Sequence, residues 1–255
     1  MVVFSDYQFY DALVTLTSIL RDTEVSQLVN EILLIDDASS RESILQDTQN
    51  YIRSVSTSLP AVRLVRLATP LGRVRARLLA VEHHVTSDVA VFVDAGVVCT
   101  PRWLSPLLEL VSSASGGQST IAVPHYDQLA HPVTLEYVET HSDLVATLSW
   151  SLTIRMRRRD GDISYTGVVQ DDYPLSRAVP VLRGEVFAVR RTFLSSIGGL
   201  YDVRLEEGTG VGEHVELSLR TWLCGGNIKV SATSISLQQA TYATSQSDIG
   251  PFVEA

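Results

Sequence analysis

Two stretches of the chain are runs of mainly apolar residues that end in carboxylates. Val89–Val93 is followed by Asp94, and Glu31–Ile35 is followed by Asp36 and Asp37. Apolar runs of this length without polar alternation are typical of strands that are covered on both faces in a mostly parallel sheet. Ligands of open α/β sheets bind beyond the carboxyl ends of the strands, so these aspartates are candidate ligand contacts.

The same acids also have a purely structural interpretation. The Ala-Gly pair after Asp94 favours a turn, and Ser39 or Ser40 can cap the helix that follows the second apolar run. The residue pattern alone leaves both interpretations open.

Apolar residues at helical spacing alternate with the strand patterns. They predict helices at Asp11–Arg21, Arg73–His84, Trp103–Ala114, Arg191–Ile197 and from Glu213 to the Gly225-Gly226 pair. Further strands are predicted at Met1–Phe4, Val62–Leu67, Ile121–Pro124 and Val186–Val189. This alternation predicts an α/β fold, with a mixed, mostly parallel sheet between helical layers.

Two segments depart from this regular pattern. Met1–Phe4 looks like the end of a strand whose beginning is missing, so we expect the N-terminal strand to be truncated. From His125 to Arg177 no clear period is visible, and proline is expected to end the preceding strand. The basic run Arg155–Arg159 leads into an Asp-Gly pair, which predicts a solvated loop.

Three arginines, Arg73, Arg75 and Arg77, stand at the start of one predicted helix. The helix dipole disfavours cations in a first turn, so these side chains need a partner. A bound anion such as phosphate is one candidate, because backbone N–H groups and guanidinium groups both suit it. Solvated arginines or pairs with nearby acidic side chains are the alternative.

Glu213 stands at the entrance of the last predicted helix, behind a glycine-rich segment. A carboxylate in that place is favoured by the helix dipole, which is a structural reason for its presence. The glycine-rich approach favours a loop beside a ligand instead. Both interpretations remain possible from the sequence pattern.

Composition restricts the class of protein. A chain of 255 residues with 45% hydrophobic content can bury the core of one large α/β domain, and we expect residues 1–255 to form a single domain. A net charge of −9 argues against a nucleic-acid partner, and no apolar run approaches the roughly 20 residues that cross a bilayer. Cys99 and Cys224 are too few for a disulfide framework and are expected to be buried.

Several blocks of sequence together resemble one enzyme family. The blocks EILLIDDAS, LGRVRARL, VFVDAG, WLSPLLE, VFAVRRTF, GLYD and GEHVELSLRTWLCGG occur in this order. They resemble the catalytic domain of polypeptide N-acetylgalactosaminyltransferases, which belong to the GT-A glycosyltransferases close to family 2. The last block is the most specific. The resemblance implies a Rossmann-like GT-A fold and transfer of N-acetylgalactosamine from UDP to serine or threonine hydroxyls of polypeptides, with retention of configuration.

The resemblance also implies residue roles at the nucleotide-sugar site. By position, Asp36 and Asp37 are uridine contacts, and Arg75 and Arg77 lie near the nucleotide-sugar pocket. Asp94 is the metal-binding acid of an Asp-x-His motif. The expected partners are a UDP-sugar donor and a polypeptide acceptor, the expected cofactor is Mn²⁺ and the expected compartment is the Golgi lumen. A membrane anchor and a lectin domain are not expected within this chain.

The catalytic and metal positions match the family only in part. By resemblance, Glu213 matches a glutamate beside the reacting sugar, with Glu216 one turn later. Gly96 and Gln238 stand where the family has metal-binding histidines. Asp94 alone is a poor manganese site, because glycine offers no side-chain ligand and an amide oxygen is a weaker ligand than imidazole. We therefore expect weak manganese binding.

Two hypotheses of different classes follow from these differences. In the first, the protein is a working transferase in which an arginine, Arg73 or Arg183, replaces the charge of the metal. In the second, the protein is a GT-A domain that has lost its chemistry and binds a nucleotide sugar or a partner. The distinction matters because the negative charge that develops on the departing diphosphate must be stabilised for the bond to break.

Overall fold

A computed structural model describes residues 1–22, 24–55, 61–113, 119–131, 136–138, 144–151, 154–158, 176–202 and 212–237. The helices in these ranges are α1 (Phe9–Arg21), α2 (Val25–Leu28), α3 (Glu42–Val55), α4 (Gly72–His83), α5 (Ser105–Ser112), α6 (Arg191–Ser196) and α7 (Gly212–Leu223). The strands are β1 (Val2–Phe4), β2 (Glu31–Asp36), β3 (Ala61–Arg66), β4 (Val89–Asp94), β5 (Val97–Cys99), β6 (Thr120–His131), β7 (Glu136–Val138), β8 (Leu144–Leu148), β9 (Ile154–Arg158), β10 (Arg177–Ala178), β11 (Val186–Arg190) and β12 (Asn227–Leu237).

Eight strands form one continuous path in the order β10-β12-β6-β11-β4-β1-β2-β3, to which β5 and β7 attach. Strands β1 to β4 are parallel to one another. Strand β11 is antiparallel to both β4 and β6, and β12 is parallel to β6, so β6 and β12 run in the direction of β4. The predicted mixed, mostly parallel sheet is therefore confirmed.

Helices cover both faces of the sheet. The evidence is that neighbouring residues of a central strand belong to different apolar clusters. Val93 of β4 belongs to a cluster with Leu16 of α1 and Leu107 of α5. The preceding residue, Phe92, belongs to a cluster with Leu217 of α7 on the other face. Each of these side chains is almost fully buried, which contributes about 1.5–3 kcal/mol apiece relative to exposure. The predicted helical layers are present on both sides.

The strand that was expected to end at Pro124 continues to His131 as β6. Its register with β12 shifts at this point, since Val123 pairs with Val230 and His125 with Ser234. Three residues of β12 thus lie opposite one residue of β6. A proline has no N–H to donate, and such an irregularity is where a strand tolerates it. The prediction was wrong because it treated proline as a stop rather than a bulge.

Two further predictions, the loop at Arg155–Arg159 and the burial of Cys224, differ from the structure. Arg155–Arg158 lie in strand β9, which pairs with β8, rather than in a loop. The region from His125 to Arg177 contains strands β7 to β10, although its sequence shows no period. Cys224 is exposed, whereas Cys99 is buried as expected. The Asp-Gly pair and Gln238 lie outside the described residues.

No helix within the described ranges is long and apolar enough to cross a membrane.

Candidate functional site

A cleft of about 880 Å³ opens beyond the carboxyl ends of β1, β2 and β4, within the size range of small-molecule sites. Its walls include the segment after β1, the residues after β2 and the first turn of α4. Asp37, Asp94 and Glu213 all line it. Their convergence follows from the parallel arrangement, because the ends of β1, β2 and β4 lie side by side in the register Phe4 to Asp36 and Val3 to Asp94.

Asp37 holds the start of α4 in place. Its Oδ1 accepts a hydrogen bond from the N–H of Leu71 at 2.7 Å, and its Oδ2 accepts one from Gly72 at 2.8 Å. This carboxylate already accepts hydrogen bonds from two backbone N–H groups at the helix start. The anion that we expected at this helix terminus is therefore a side chain of the protein itself. Asp37 still lines the cleft, with 9% of its surface exposed.

Asp36 is fully buried and is not among the residues that line the cleft. Its Oδ1 accepts a hydrogen bond from the N–H of Ser39 at 2.9 Å, and its Oδ2 lies 3.5 Å from Nε of Arg66. These contacts fix the turn after β2 and its attachment to β3. The expected contact between Asp36 and a ligand does not agree with this position.

Arg73 reaches into the cleft and joins two of its acids. Its Nη1 donates to Asp94 Oδ2 at 3.1 Å, and its Nη2 donates to Glu213 Oε1. About a third of the Arg73 side chain, 34%, is exposed. Arg75, which was expected near the nucleotide, is exposed and does not line the cleft. Arg73 is therefore paired with acidic side chains, which was the alternative to a bound phosphate.

Arg77 lies beneath the cleft with 1% of its side chain exposed. Its Nη2 donates to Asp94 Oδ1 at 2.7 Å, and its Nη1 donates to the hydroxyl of Tyr201 at 3.2 Å. The guanidinium carbon also lies 5.5 Å and 5.7 Å from the ring centres of Phe92 and Phe187. Burial between aromatic rings and an anion fixes this guanidinium. It supports Asp94 rather than lining the cleft.

Asp94, Glu213, Arg73 and Arg77 form one group, which we call the acid–arginine cluster. Two guanidinium groups meet two carboxylates, one guanidinium on each oxygen of Asp94. Burial raises the pKa of Asp94, and the charges of Arg77 and Arg73 oppose that rise. Burial lowers the pKa of Arg73, but Asp94 and Glu213 outweigh it, so the net change is upward. Arg73 therefore keeps its positive charge in the cleft.

His214 follows Glu213 in α7 and is buried against the cluster. Its Nε2 lies 3.6 Å from Glu213 Oε1. Burial, and then the charges of Arg77 and Arg73, hold the pKa of His214 well below its usual range. Gly184 faces the imidazole ring so closely that a Cβ there would lie 2.2 Å from ring atoms, and its φ is +92°. Gly184 could not be selected from the sequence, because no local pattern marks a contact between distant segments.

Glu216 and Arg183 have other partners. Both oxygens of Glu216 accept hydrogen bonds from Arg220, at 2.6 and 2.9 Å, and Glu216 does not line the cleft. Arg220 also donates to backbone carbonyls after α6, so the pair joins two helices. Arg183 pairs with Glu185 at 2.7 Å and lies over the ring of Tyr126. The expected catalytic position of Glu216 is not consistent with this geometry.

Gly96 is part of the turn between β4 and β5. Its φ is +93°, a region that favours glycine, and its N–H donates to Thr15 Oγ1 at 2.9 Å. A side chain at this position would strain the backbone by about 1–2 kcal/mol. The position that resembles a metal-binding histidine therefore serves as a tight turn here. Within the described residues, no group of three His, Cys, Asp or Glu side chains could hold a metal ion.

Comparisons with known proteins agree with this architecture. The sequence model of the family described as Glycosyl transferase family 2 matches residues 12–145. The chain belongs to glycosyl transferase family 2. It is 29% identical over 234 residues to polypeptide N-acetylgalactosaminyltransferase 3 of Drosophila melanogaster, covering 92% of this chain and 33% of that protein. It is 33% identical over 230 residues to polypeptide N-acetylgalactosaminyltransferase 15 of Mus musculus, covering 90% of this chain and 33% of that protein.

Solved structures of similar fold are also glycosyltransferases. A crystal structure of GalNAc-T7 with UDP, GalNAc and Mn²⁺ matches with a TM-score of 0.76 and 21% identity, over 92% of this chain and 42% of that one. The mannosyltransferase PcManGT from Pyrobaculum calidifontis, in complex with GDP-Man and Mn²⁺, matches with a TM-score of 0.61 and 13% identity, over 95% and 57%. This family 2 chain therefore has the GT-A fold, as predicted. It spans about a third of the length of the two curated relatives named above.

The contact between Gly184 and His214 predicts an unequal response to alanine. Gly198 has a similar φ of +93°, but nothing lies within 4 Å of its Cβ position. Gly198→Ala should therefore show the backbone strain alone, whereas Gly184→Ala must also displace a buried ring. We expect Gly184→Ala to lower the free energy of unfolding by about 1–3 kcal/mol more than Gly198→Ala, measured by urea denaturation. Equal losses would show that the ring contact has no energetic weight.

The lowered pKa of His214 predicts a pH dependence of stability. Below its ordinary value near 6.5, the unfolded chain binds a proton that folded His214 does not, so the free energy of unfolding falls as pH falls. The slope contributed is up to about 1.4 kcal/mol per pH unit. Urea denaturation between about pH 7 and pH 5.5 should show a smaller slope for His214→Gln than for the natural protein.

The exposed His83 provides the matched control for this measurement. His83→Gln should keep the slope of the natural protein. A slope that is unchanged in His214→Gln would mean that His214 is protonated to the same degree in both states.

Proposed function

We propose that residues 1–255 form one GT-A domain that binds a UDP-sugar in the cleft of Asp37, Asp94 and Glu213. UDP-N-acetylgalactosamine is the proposed donor, and a serine or threonine hydroxyl of a polypeptide is the proposed acceptor. The similarity to polypeptide N-acetylgalactosaminyltransferases supports both choices. The same similarity supports a location in the Golgi lumen. The observation that carries the proposal is the convergence of acids and Arg73 at the carboxyl edge of the sheet.

Three residues that line the cleft are the proposed contacts for the three parts of the donor. Asp37 lies at the end of β2 and is the proposed contact for the uridine, since each carboxylate oxygen keeps a second lone pair beyond its bond to the α4 backbone. Arg73 is the proposed contact for the diphosphate. Glu213 lines the same cleft from α7 and is the proposed neighbour of the reacting sugar.

In the proposed reaction, the bond between the sugar C1 and the diphosphate oxygen breaks, and a bond between C1 and the acceptor oxygen forms. UDP leaves with the bonding electrons, and the hydroxyl proton passes to the leaving phosphate or to water. Charge on the departing UDP must be stabilised in the transition state. A single guanidinium is a smaller charge than a divalent ion, so we propose slow transfer.

A second candidate is a domain that binds the donor without transferring the sugar. The observation in its favour is that Glu213 is already paired with Arg73 and lies beside buried His214. A carboxylate held in this way is less able to act on a sugar unless Arg73 moves. In this case the protein would be a nucleotide-sugar-binding or partner subunit.

Nucleotide binding tests the proposal. A ligand that binds only the folded state raises the free energy of unfolding by RT ln(1 + [L]/Kd), about 2.7 kcal/mol at a hundredfold excess over Kd. UDP and UDP-N-acetylgalactosamine at millimolar concentration should therefore raise the melting temperature. An unchanged melting curve with both compounds would contradict the proposed function.

Transfer to a serine- and threonine-containing peptide, measured by mass spectrometry, separates the two candidates. If transfer occurs, Glu213→Gln should reduce it by at least about tenfold while the nucleotide-induced shift in melting persists. Glu109→Gln, on the exposed part of α5, is the control for loss of one carboxylate and should leave transfer unchanged. A shift in melting without transfer or donor hydrolysis would favour the binding subunit.

A further inference from the structure

We propose that the guanidinium of Arg73 binds the diphosphate of the donor in the place that a divalent metal ion would take. The inference rests on the proposed function, because it presumes that a nucleoside diphosphate enters this cleft. The proposed function already gives Arg73 a contact with the diphosphate, and the inference adds that this contact makes UDP binding independent of a metal ion.

The position of Arg73 carries the first part of the argument. It comes from the first turn of α4, lines the cleft and contacts acids on two other elements, Asp94 of β4 and Glu213 of α7. A guanidinium is planar and matches two oxygens at once, which suits phosphate as well as carboxylate. A diphosphate that enters the cleft can thus take the place of one carboxylate on this group.

The environment of Asp94 carries the second part. Its Oδ1 is bound by Arg77 Nη2 at 2.7 Å and its Oδ2 by Arg73 Nη1 at 3.1 Å. A divalent ion on this carboxylate would have to displace a guanidinium and lie next to two positive charges. The turn at Gly96 offers no side-chain ligand, and its N–H is bound to Thr15. The donor set of the described cleft therefore does not fit Mn²⁺.

The two arginines differ in a way that suits this role. Arg77 has 1% of its side chain exposed and is held by Tyr201 and two aromatic rings. Arg73 has 34% exposed and contacts the cleft directly. Arg77 can therefore anchor Asp94 permanently, while Arg73 exchanges between a carboxylate and a ligand phosphate.

Calorimetric titration of UDP into the full chain, in EDTA and in Mn²⁺, tests the proposal. The natural protein should bind UDP with the same Kd in both solutions, within about twofold. Arg73→Met should weaken UDP binding by about tenfold to hundredfold, the usual size of a lost charged hydrogen bond. Arg53→Met removes the same charge from an exposed site on α3 and should leave the Kd unchanged.

A manganese titration gives a readout that a merely structural arginine would not move. Arg73→Met leaves the carboxylates of Asp94 and Glu213 without their shared cation, so this variant should bind Mn²⁺ at least about tenfold more tightly than the natural protein. Arg73→Lys keeps the charge and provides the same test if the methionine variant does not fold. It should retain UDP binding in EDTA, weakened less than in Arg73→Met, because ammonium lacks the planar fork.

Three outcomes would overturn the inference. If UDP binds the natural protein only with Mn²⁺, the metal supplies the charge, and the proposed function survives without this inference. If Arg73→Met binds UDP as tightly as the natural protein, Arg73 is not the cation. If UDP binds in neither solution, the proposed function fails as well.

Discussion

The double pairing of Asp94 is the interaction on which the rest of the site depends. It joins the end of β4 to α4 through two arginines and, through Arg73, to Glu213 of α7. Charges in such a place cost several kcal/mol each to desolvate, and only complete pairing offsets that cost. Removal of Asp94 would leave the buried guanidinium of Arg77 without its carboxylate, and removal of Arg73 would leave the buried Glu213 without its arginine. The cluster therefore forms only when β4, α4 and α7 have these relative positions.

The same pairing is the basis of the proposal that this cleft uses an arginine in place of a metal ion. A carboxylate that points one oxygen at each of two guanidinium groups is already neutralised, and its geometry is set by nitrogen donors rather than by a metal. The solved structures of GalNAc-T7 and PcManGT contain Mn²⁺ together with UDP and GDP-Man, respectively. In this chain, two arginines bind Asp94, and the turn at Gly96 offers no side-chain ligand. A single delocalised charge stabilises a leaving diphosphate less than a divalent ion does, so the proposed role of Arg73 predicts slow or absent transfer.

The sequence predicted the sheet and its helical layers, because these depend on local apolar runs. It also predicted Asp37 and Asp94 at strand ends, whereas Glu213, which begins a helix, was placed near the reacting sugar only by the family resemblance. Of the arginines that the sequence indicated, Arg73 and Arg77 belong to the acid–arginine cluster, whereas Arg75 is exposed and does not line the cleft. Positions four apart share a helix face, so Arg73 and Arg77 could have been paired from spacing, whereas Arg75 points elsewhere. The contact of Arg73 with Glu213 spans 140 residues of sequence, and no local pattern encodes such a distance.

The most direct measurement is a crystal structure with UDP, grown in Mn²⁺ and recorded at the manganese absorption edge. We expect phosphate oxygens within hydrogen-bond distance of Arg73, Asp94 still held by Arg77 and no anomalous peak between Asp94 and the diphosphate. An anomalous peak bonded to both Asp94 and the diphosphate, with Arg73 displaced from the cleft, would contradict a built-in arginine cation.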